Sequence, residues 1–382
     1  MNKTVIIGLD GVPPGVLQDY IDSGFMPHLS DYIGMKGMER MESSIPAISN
    51  VSWTTMFTGA NPGVHGIFGF TDFIKDSYHL RYPNRNTIQT SPYWWSGKNV
   101  VINMPGTFPP VKRDGVLIAG FVALDIDRAV RPSSLIPTLK SMKYQVDVDV
   151  SSIEQSTQLF YTQLSQVLLK RKHIGLQLYK QNRWETFTFI VTGTDRLLHY
   201  QWNERFGLDA LKYMREVDET IQQFMQDDTQ LILLSDHGMT GIEQRVNINQ
   251  VIREHGLDDV VKALDPGRLY LHTDARFPQG HRISIAEEDA LIECFKNLQY
   301  KGKQVIQDIV PCSEVYAGPY VGYAPDWVLI PYDGFNLYCG KDTQVFHEPD
   351  RIKGMHTQDA FVSVRMGEPP VSIQGVRSCI MH

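Results

Sequence analysis

Five short apolar runs recur along the chain, each bounded by polar or turn-forming residues. They lie at residues 4–9 (TVIIGL), 99–103 (NVVIN), 116–121 (VLIAGF), 185–191 (ETFTFIV) and 230–234 (QLILL). Continuous apolar runs of this length are typical of strands that are buried on both faces of a parallel sheet. Because amphipathic stretches alternate with them, the pattern predicts an α/β fold with a largely parallel central sheet and helices on both faces.

Apolar residues at helical spacing predict the covering helices. These are expected at residues 13–23, 26–33, 50–57, 152–180 (as one or two helices), 208–225 and 286–298. Further short strands are expected at residues 37–43, 268–272, 327–330 and 360–364. Residues 71–93 lack either periodicity and are expected to form a long loop. We therefore predict a single domain over residues 1–382, with a cap or insert built from parts of 71–180 and 267–350.

Composition and charge narrow the classes of partner. The chain has 382 residues, 42% of them hydrophobic, and a net charge of -7. An acidic chain is a poor partner for a nucleic acid polymer, whereas a small phosphorylated ligand remains open. No apolar run reaches membrane-spanning length, and the first residues form a strand pattern rather than a signal sequence. The expectation is a cytoplasmic protein without a membrane partner.

The cysteines add a constraint on the kind of site. All four lie in the last quarter of the chain, without C-x-x-C spacing, at Cys294, Cys312, Cys339 and Cys379. This distribution argues against a disulfide framework and against a thiolate zinc site. It also suits a reducing compartment.

Polar side chains follow three of the apolar runs at the point where each run ends. Asp10 follows the first run, Asp195 follows the fourth, and Asp236 with His237 follows the fifth. One such aspartate would more often be a helix cap or a turn residue. Carboxyl ends of parallel strands meet at one edge of a sheet, so three together indicate a binding site. His199, one helical turn after Asp195, completes an oxygen and nitrogen donor set that suits a divalent metal.

Ser49 stands at the start of the helix predicted over residues 50–57, which ends at Gly59. A hydroxyl group there lies near unpaired backbone N–H groups and the positive end of the helix dipole, and both favour an alkoxide or a phosphoryl oxygen. A serine at this position is more often an N-cap, so both interpretations stay open. His356, in a predicted loop, is by itself more often a surface or packing residue than a metal ligand.

Taken together and in order, these motifs resemble a known family. The ordered set is Asp10, Ser49 ahead of SWTTMFTG, HGI at 65–67, D-x-x-x-H at 195–199, DHG at 236–238 and G-x-H at 354–356. It resembles the alkaline phosphatase superfamily, and within it the type I phosphodiesterase/nucleotide pyrophosphatase branch. The resemblance implies an alkaline phosphatase-like catalytic domain and a hydrolase that acts on phosphoric ester bonds.

The resemblance also implies a two-metal site. It assigns Asp195, His199 and His356 to one ion, and Asp10, Asp236 and His237 to the other. Ser49 would bridge toward the second ion as the nucleophile and form a covalent phosphoryl-enzyme. A ligand set without thiolates favours Zn²⁺, with Mn²⁺ or iron as alternatives.

One position departs from the pattern of the branch. An asparagine downstream of HGI is expected to hold the phosphoryl oxygens, and Phe70 stands there instead. Asn50, the backbone of the Ser49 helix or Thr71 are candidates to replace it, so Asn50 and Phe70 are expected near the substrate. Trp53 and neighbouring aromatic residues are candidates for an aromatic wall, although core packing is the commoner role.

Several activities remain as alternatives. No conspicuous cluster of arginine or lysine surrounds Ser49 in the sequence, which favours a diester over a monoester. A sulfatase is disfavoured because x-Pro-x-Arg does not follow Ser49. A phosphonate or phosphomonoester hydrolase with the same metal ligands, or a non-catalytic protein that binds a phosphorylated ligand, stays open.

Overall fold

A computed structural model of the protein describes residues 3–111, 115–123, 125–181 and 183–380. Strands are numbered over these residues in chain order. They are β1 (Thr4–Leu9), β2 (Glu39–Glu42), β3 (Asp72–Phe73), β4 (Leu80–Arg81), β5 (Asn99–Ile102), β6 (Val116–Ile118), β7 (Val130–Arg131), β8 (Thr186–Val191), β9 (Gln230–Leu234), β10 (Gly238–Asn247), β11 (Val261–Leu264), β12 (Arg268–Leu271), β13 (Gln299–Tyr300), β14 (Lys303–Gln304), β15 (Ile306–Pro311), β16 (Trp327–Pro331), β17 (Gly334–Tyr338), β18 (Phe346–His347), β19 (Gly354–Thr357) and β20 (Asp359–Val364).

The helices of the described chain are numbered in the same way. They are α1 (Pro14–Asp22), α2 (Pro27–Lys36), α3 (Ser49–Thr58), α4 (Pro62–His65), α5 (Ile136–Ser141), α6 (Ser152–Gln155), α7 (Thr157–Lys180), α8 (Gly193–Gln201), α9 (Leu208–Ile221), α10 (Ile248–Glu254), α11 (Ile285–Lys296) and α12 (Cys312–Val315). Short 3-10 helices lie at Arg85–Thr87, Tyr93–Trp95, Ser133–Leu135, Trp202–Glu204, Gln222–Phe224, Val321–Tyr323 and Ile373–Cys379. No helix in these ranges is both long and apolar enough to cross a membrane.

The chain divides into two compact units. The first comprises Met1–Ala60, Asn84–Met239 and His356–His382, and the second comprises Asn61–Pro83 and Thr240–Met355. The expectation of one catalytic domain over 1–382 with a cap or insert stays a prediction.

The first unit is built on an eight-stranded sheet. Its strand order is β2-β20-β9-β1-β8-β5-β6-β7. The five inner strands from β9 to β6 are parallel, whereas the outer strands β2, β20 and β7 pair antiparallel. Every residue of β1, β8 and β9 is buried, which explains why these strands are continuous apolar runs. The predicted α/β fold with a largely parallel sheet is confirmed.

Helix α7 packs against β5 and β8 through the apolar residues that predicted it. The expected segment 152–180 forms two helices because the chain is extended at Ser156, where the side-chain Oγ accepts the backbone N–H of Leu159. This is an N-cap, which satisfies a donor that the first turn leaves unpaired.

The second unit holds the predicted strands at 268–272 and 327–330 in an antiparallel sheet of order β11-β12-β16-β15. A hydrophobic cluster lies between this sheet and helices α10 and α11, with Val251, Leu291 and Phe295 among its members. Strand β10 was not predicted from the sequence. Its residues, GMTGIEQRVN, lack a continuous apolar run, and four of the ten are only partly buried or exposed.

Candidate active site

The central strands of the first unit place the predicted site residues together. Strand β1 pairs in parallel with β8 on one side and with β9 on the other. Asp10 directly follows β1, Asp236 and His237 follow β9, and Asp195 lies in the first turn of α8 just after β8. The three strand ends are neighbours, so the three carboxylates meet at one edge of the sheet, as expected.

The six predicted metal ligands form two adjacent groups of three. In one group, Asp195 Oδ1 lies 3.3 Å from His199 Nε2 and 3.4 Å from His356 Nε2. In the other group, His237 Nε2 lies 3.6 Å from Asp10 Oδ1 and 3.4 Å from Asp236 Oδ2. The rings of His237 and His356 stack with their centroids 3.7 Å apart, which joins the two groups.

Backbone carbonyls orient two of the imidazoles. His237 Nδ1 lies 2.9 Å from the carbonyl oxygen of Gly238, and His356 Nδ1 lies 2.9 Å from that of Ala47. A carbonyl oxygen only accepts, so each Nδ1 carries the proton and each Nε2 directs a lone pair into the cluster. His356 lies on strand β19 rather than in the predicted loop, and it is neither a packing nor a surface residue.

Each carboxylate has one oxygen held by the protein and one that is not. The held oxygens accept hydrogen bonds from Trp53 Nε1 (to Asp10 Oδ2, 3.2 Å), the Gly11 backbone N–H (to Asp236 Oδ1, 3.2 Å) and Arg196 Nη1 (to Asp195 Oδ2, 2.7 Å). The other oxygens, Asp10 Oδ1, Asp195 Oδ1 and Asp236 Oδ2, are buried and accept no hydrogen bond from the described residues.

These three orphaned oxygens face the imidazole nitrogens, and buried acceptors without partners are costly. Divalent cations would satisfy them, so the donor set fits two metal ions.

The pKa shifts of the clustered carboxyl and imidazole groups also favour bound cations. Burial raises the pKa of Asp236 to about 8, and the Asp195 carboxylate adds to this shift. Burial and the carboxylates of Asp236 and Asp195 also raise the pKa of Asp10 well above its usual range. Burial, helped by the neighbouring His356 imidazole, lowers the pKa of His237. The one guanidinium that contacts this cluster does not balance its three buried carboxylates, and bound cations would supply the missing positive charge.

The pKa of Asp195 is shifted in the opposite direction, because two imidazoles and a guanidinium contact this carboxylate. Burial by itself would raise the pKa of Asp195, but the imidazoles of His199 and His356 and the Arg196 guanidinium together hold it well below its usual range. The Asp195 carboxylate is therefore the most firmly ionised of the three.

Ser49 is the first residue of α3, and its side chain is directed toward the cluster. The N-cap position is Ile48, and no side-chain capping bond is formed there. Ser49 Oγ lies 3.0 Å from His237 Nε2, so the hydroxyl contacts the cluster instead of capping the helix. Asn50 is buried directly after it.

The two expected substrate contacts lie in different units. Asn50 Oδ1 lies only 2.9 Å from where a Cβ would stand at Gly106, which has a φ of +75°, so the backbone approaches this amide closely. Phe70 belongs to the second unit, where its side chain is 37% exposed. The roles of both residues in substrate binding stay predictions.

Two residues that the sequence analysis did not connect with the predicted metal ligands donate hydrogen bonds to them. Trp53 is fully buried and binds Asp10 rather than forming an aromatic wall. Its ring fits over β1 because a Cβ at Gly8 would collide with it. Arg196 bridges Asp195 and Asp147. The signal that could have found Arg196 is its position directly after Asp195 in the D-x-x-x-H motif.

The family of the chain follows from a comparison with known families. The family model described as "Type I phosphodiesterase / nucleotide pyrophosphatase" matches residues 4–359. The chain belongs to the type I phosphodiesterase/nucleotide pyrophosphatase family. This confirms the resemblance drawn from the motifs. Membership in this family indicates a hydrolase that acts on phosphoester bonds, within a metal-dependent superfamily.

Solved structures support the fold of this family member. A phosphonoacetate hydrolase from Sinorhizobium meliloti 1021 in complex with phosphonoformate superimposes with a TM-score of 0.75 at 14% identity, over 99% of this chain and 95% of the other. Its complex with phosphonoacetate gives a TM-score of 0.74 at 15% identity, with the same coverage. At this identity the likeness shows a common fold. No curated protein matches the sequence.

Proposed function

We propose that the protein is a two-metal phosphodiesterase in which Ser49 is the nucleophile. The observation that carries the proposal is the position of Ser49 Oγ, which lies 3.0 Å from His237 Nε2, an atom of the cluster in which three buried carboxylate oxygens accept no hydrogen bond from the described residues. The solved relatives bind phosphonates, which supports a small phosphorylated substrate.

Asp195, His199 and His356 would hold one ion, and Asp10, Asp236 and His237 the other. Oxygen and nitrogen donors favour Zn²⁺, with Mn²⁺ or iron as alternatives. When bound, two such ions lower the pKa of a hydroxyl nucleophile and stabilise charge on the attacking and leaving oxygens of an in-line displacement.

The protein's own residues then position the reacting groups. Ser49 Oγ loses its proton to solvent and forms a bond to phosphorus, while the bond from phosphorus to the leaving ester oxygen breaks and that oxygen departs with the electron pair and takes up a proton from water. Water subsequently attacks the phosphoserine: its oxygen bonds to phosphorus, the bond from phosphorus to Ser49 Oγ breaks, and a proton from water restores the hydroxyl. The N-terminus of the ten-residue helix α3 would stabilise the anionic phosphoryl group, and Asn50, which follows Ser49 in this helix, is the candidate side chain to contact it.

The charges around the cluster favour a diester. Arg196 contacts the cluster, but it donates to Asp195 and to Asp147, so its charge is balanced by protein carboxylates. A phosphomonoester carries an additional negative charge that calls for a further cation. A phosphonate hydrolase is the second candidate, because the solved relatives are phosphonoacetate hydrolases.

The test is turnover of bis(4-nitrophenyl) phosphate by the zinc-loaded protein. Ser49→Ala should abolish turnover while the metal content stays near two ions per chain. Ser52→Ala is the matched control, because it removes a buried hydroxyl from the same helix, one that bonds to Ser43 and Ser44 within the described part of the chain. Undiminished turnover by Ser49→Ala would overturn the nucleophile assignment. A protein that hydrolyses no phosphodiester, monoester or phosphonate would favour a non-catalytic binding role.

A further inference from the structure

Gly11 forms the turn that follows strand β1. It comes directly after Asp10 and has a φ of +70°, a left-handed conformation that strains residues with a Cβ and that glycine adopts freely. The chain therefore turns immediately after it has brought the first of the candidate metal ligands to the edge of the sheet.

The peptide group between Asp10 and Gly11 links the two groups of metal ligands. Its N–H donates to Asp236 Oδ1 over 3.2 Å. Its carbonyl oxygen accepts a hydrogen bond of 2.7 Å from Thr194 Oγ1, and the buried Thr194 directly precedes Asp195 in the first turn of α8. Because a peptide group is planar and rigid, these two bonds fix Asp236 and the first turn of α8 relative to each other.

The Cα of Gly11 lies directly against the group that contains Asp195. A Cβ at Gly11 would stand 2.9 Å from Asp195 Oδ1 and 3.2 Å from Asp195 Cβ, whereas ordinary contacts begin at about 3.4 Å. Asp195 Oδ1 is the orphaned oxygen that lies near Nε2 of both His199 and His356. A side chain at Gly11 would thus separate the turn from this oxygen by about 0.5 Å more than the structure has.

A displacement of this size matters for a pair of metal ions. Metal–ligand distances in proteins stay within about 0.2 Å of their usual values. Two-metal sites hold their ions about 3.5–4 Å apart, so that both act on the same phosphoryl group. The position of Asp195 relative to Asp236 is therefore as important as the identity of the ligands.

We propose that Gly11 sets the separation of the two metal ions. Its N–H holds Asp236, and the absence of a side chain lets Asp195 approach the turn closely. The inference rests on the proposed function, because it assumes that two ions bind at the cluster. Gly11 is a positioning residue, since it acts through the ligands of both ions.

The test is electron paramagnetic resonance of the Mn²⁺-loaded protein, with the bound ions counted by elemental analysis. Two Mn²⁺ ions at the distance of a two-metal site couple magnetically, and their spectrum differs from that of isolated ions. The wild-type protein should bind two ions per chain and show the coupled spectrum. Gly11→Ala should show isolated ions and should bind one of the two about ten- to hundredfold more weakly.

Two further variants separate the contact from the strain of the backbone. Gly24→Ala is the matched control, because Gly24 has a φ of +76° and a Cβ there would meet no atom of the described residues within 4 Å, its chain neighbours aside. It should keep the coupled spectrum and both affinities. Gly11→Asn introduces a residue that tolerates the left-handed conformation, and it should lose the coupling as alanine does.

The stability of the metal-free protein tests the same contact where Gly11→Ala is poorly folded. The collision with Asp195 Oδ1 disappears when Asp195 is truncated. Gly11→Ala should therefore lower the urea midpoint less in the Asp195→Ala background than in the wild type. An equal loss in both backgrounds, or a double variant that fails to fold, would overturn the inference.

The remaining outcomes separate the inference from the proposed function. Coupled ions with unchanged affinities in Gly11→Ala, an equal loss in Gly24→Ala, or wild-type behaviour of Gly11→Asn would overturn the inference and leave the proposed function standing. A wild-type protein that binds fewer than two ions, or two ions without magnetic coupling, would overturn the proposed two-metal site, and the inference with it.

Discussion

Arg196 Nη1 donates a hydrogen bond of 2.7 Å to Asp195 Oδ2, which leaves Asp195 Oδ1 directed at the Nε2 atoms of His199 and His356. The guanidinium is itself fixed by two bonds to Asp147. A carboxylate held by one oxygen in this way presents the other in a fixed direction, as the outer partners of metal ligands commonly do. We therefore infer that Arg196 positions Asp195 for the ion that this carboxylate is proposed to bind.

Replacing Arg196 should therefore weaken the binding of one metal ion and leave the binding of the other unchanged. For Arg196→Gln we expect about ten- to hundredfold lower affinity at one of the two sites, measured by chelator competition. Arg215→Gln is the matched control, since Arg215 pairs with Glu219 on the exposed surface of α9. Unchanged affinity at both sites would show that Arg196 does not position Asp195.

Replacing Trp53 should weaken the binding of the other metal ion. Trp53→Phe keeps a buried aromatic ring but removes the N–H that donates to Asp10 Oδ2. We expect about tenfold weaker binding of one ion. Trp94→Phe is the control for packing, because Trp94 is equally buried but packs against Phe57 and Tyr93. If both variants lose stability and neither loses metal affinity, the hydrogen bond of Trp53 has only a structural role.

The assignment of His356 is tested by the stoichiometry of bound metal. His356→Ala removes one of three donors around Asp195 Oδ1, so elemental analysis should find about one ion per chain instead of two. Asp195→Ala should have the same effect. His173→Ala, at an exposed position on α7, should retain both ions. Full occupancy in His356→Ala would refute this ligand set.

The raised pKa of Asp236 makes the stability of the metal-stripped protein depend on pH. Near pH 7 the folded protein retains a proton on Asp236, whose pKa is about 8, whereas the unfolded chain has already lost it. The folded state then binds more protons, so the free energy of unfolding falls as pH rises toward 8, by up to about 1.4 kcal/mol per pH unit for each such proton. Asp10 acts in the same direction.

This prediction is checked by urea unfolding between about pH 7.3 and 8. Histidines that are neutral in the folded state contribute little slope there, because the unfolded chain, with a histidine pKa of about 6.5, has lost most of their protons above about pH 7.3. Asp236→Asn should reduce the slope, and bound zinc should remove it, since the ion replaces the proton on the carboxylate. A stripped protein whose stability is constant or rises over this interval would contradict the prediction.

The parts of the fold that could be predicted are those that depend on local pattern. Strands β1, β8 and β9 are buried on both faces, so they are visible as continuous apolar runs. The polar residues that end them stand out for the same reason. Strand β10 was not predicted because its buried and partly exposed residues follow one another without a regular period.

For the candidate site, the sequence by itself determined which residue types follow the strands and that Asp195 and His199 share a helix face, because strand ends and helical periodicity are local properties. The family resemblance grouped His356 with them and Ser49 with the ion assigned to His237. The tertiary structure brings these atoms within 3.4 and 3.0 Å, and it alone decided that Trp53 and Arg196 each hold one carboxylate oxygen. Apart from the bond between the adjacent residues Arg196 and Asp195, these contacts join residues far apart in the chain. All of them depend on the direction of each side chain, which no local pattern records, and the convergence of the strand ends depends on the pairing of β1 with both β8 and β9.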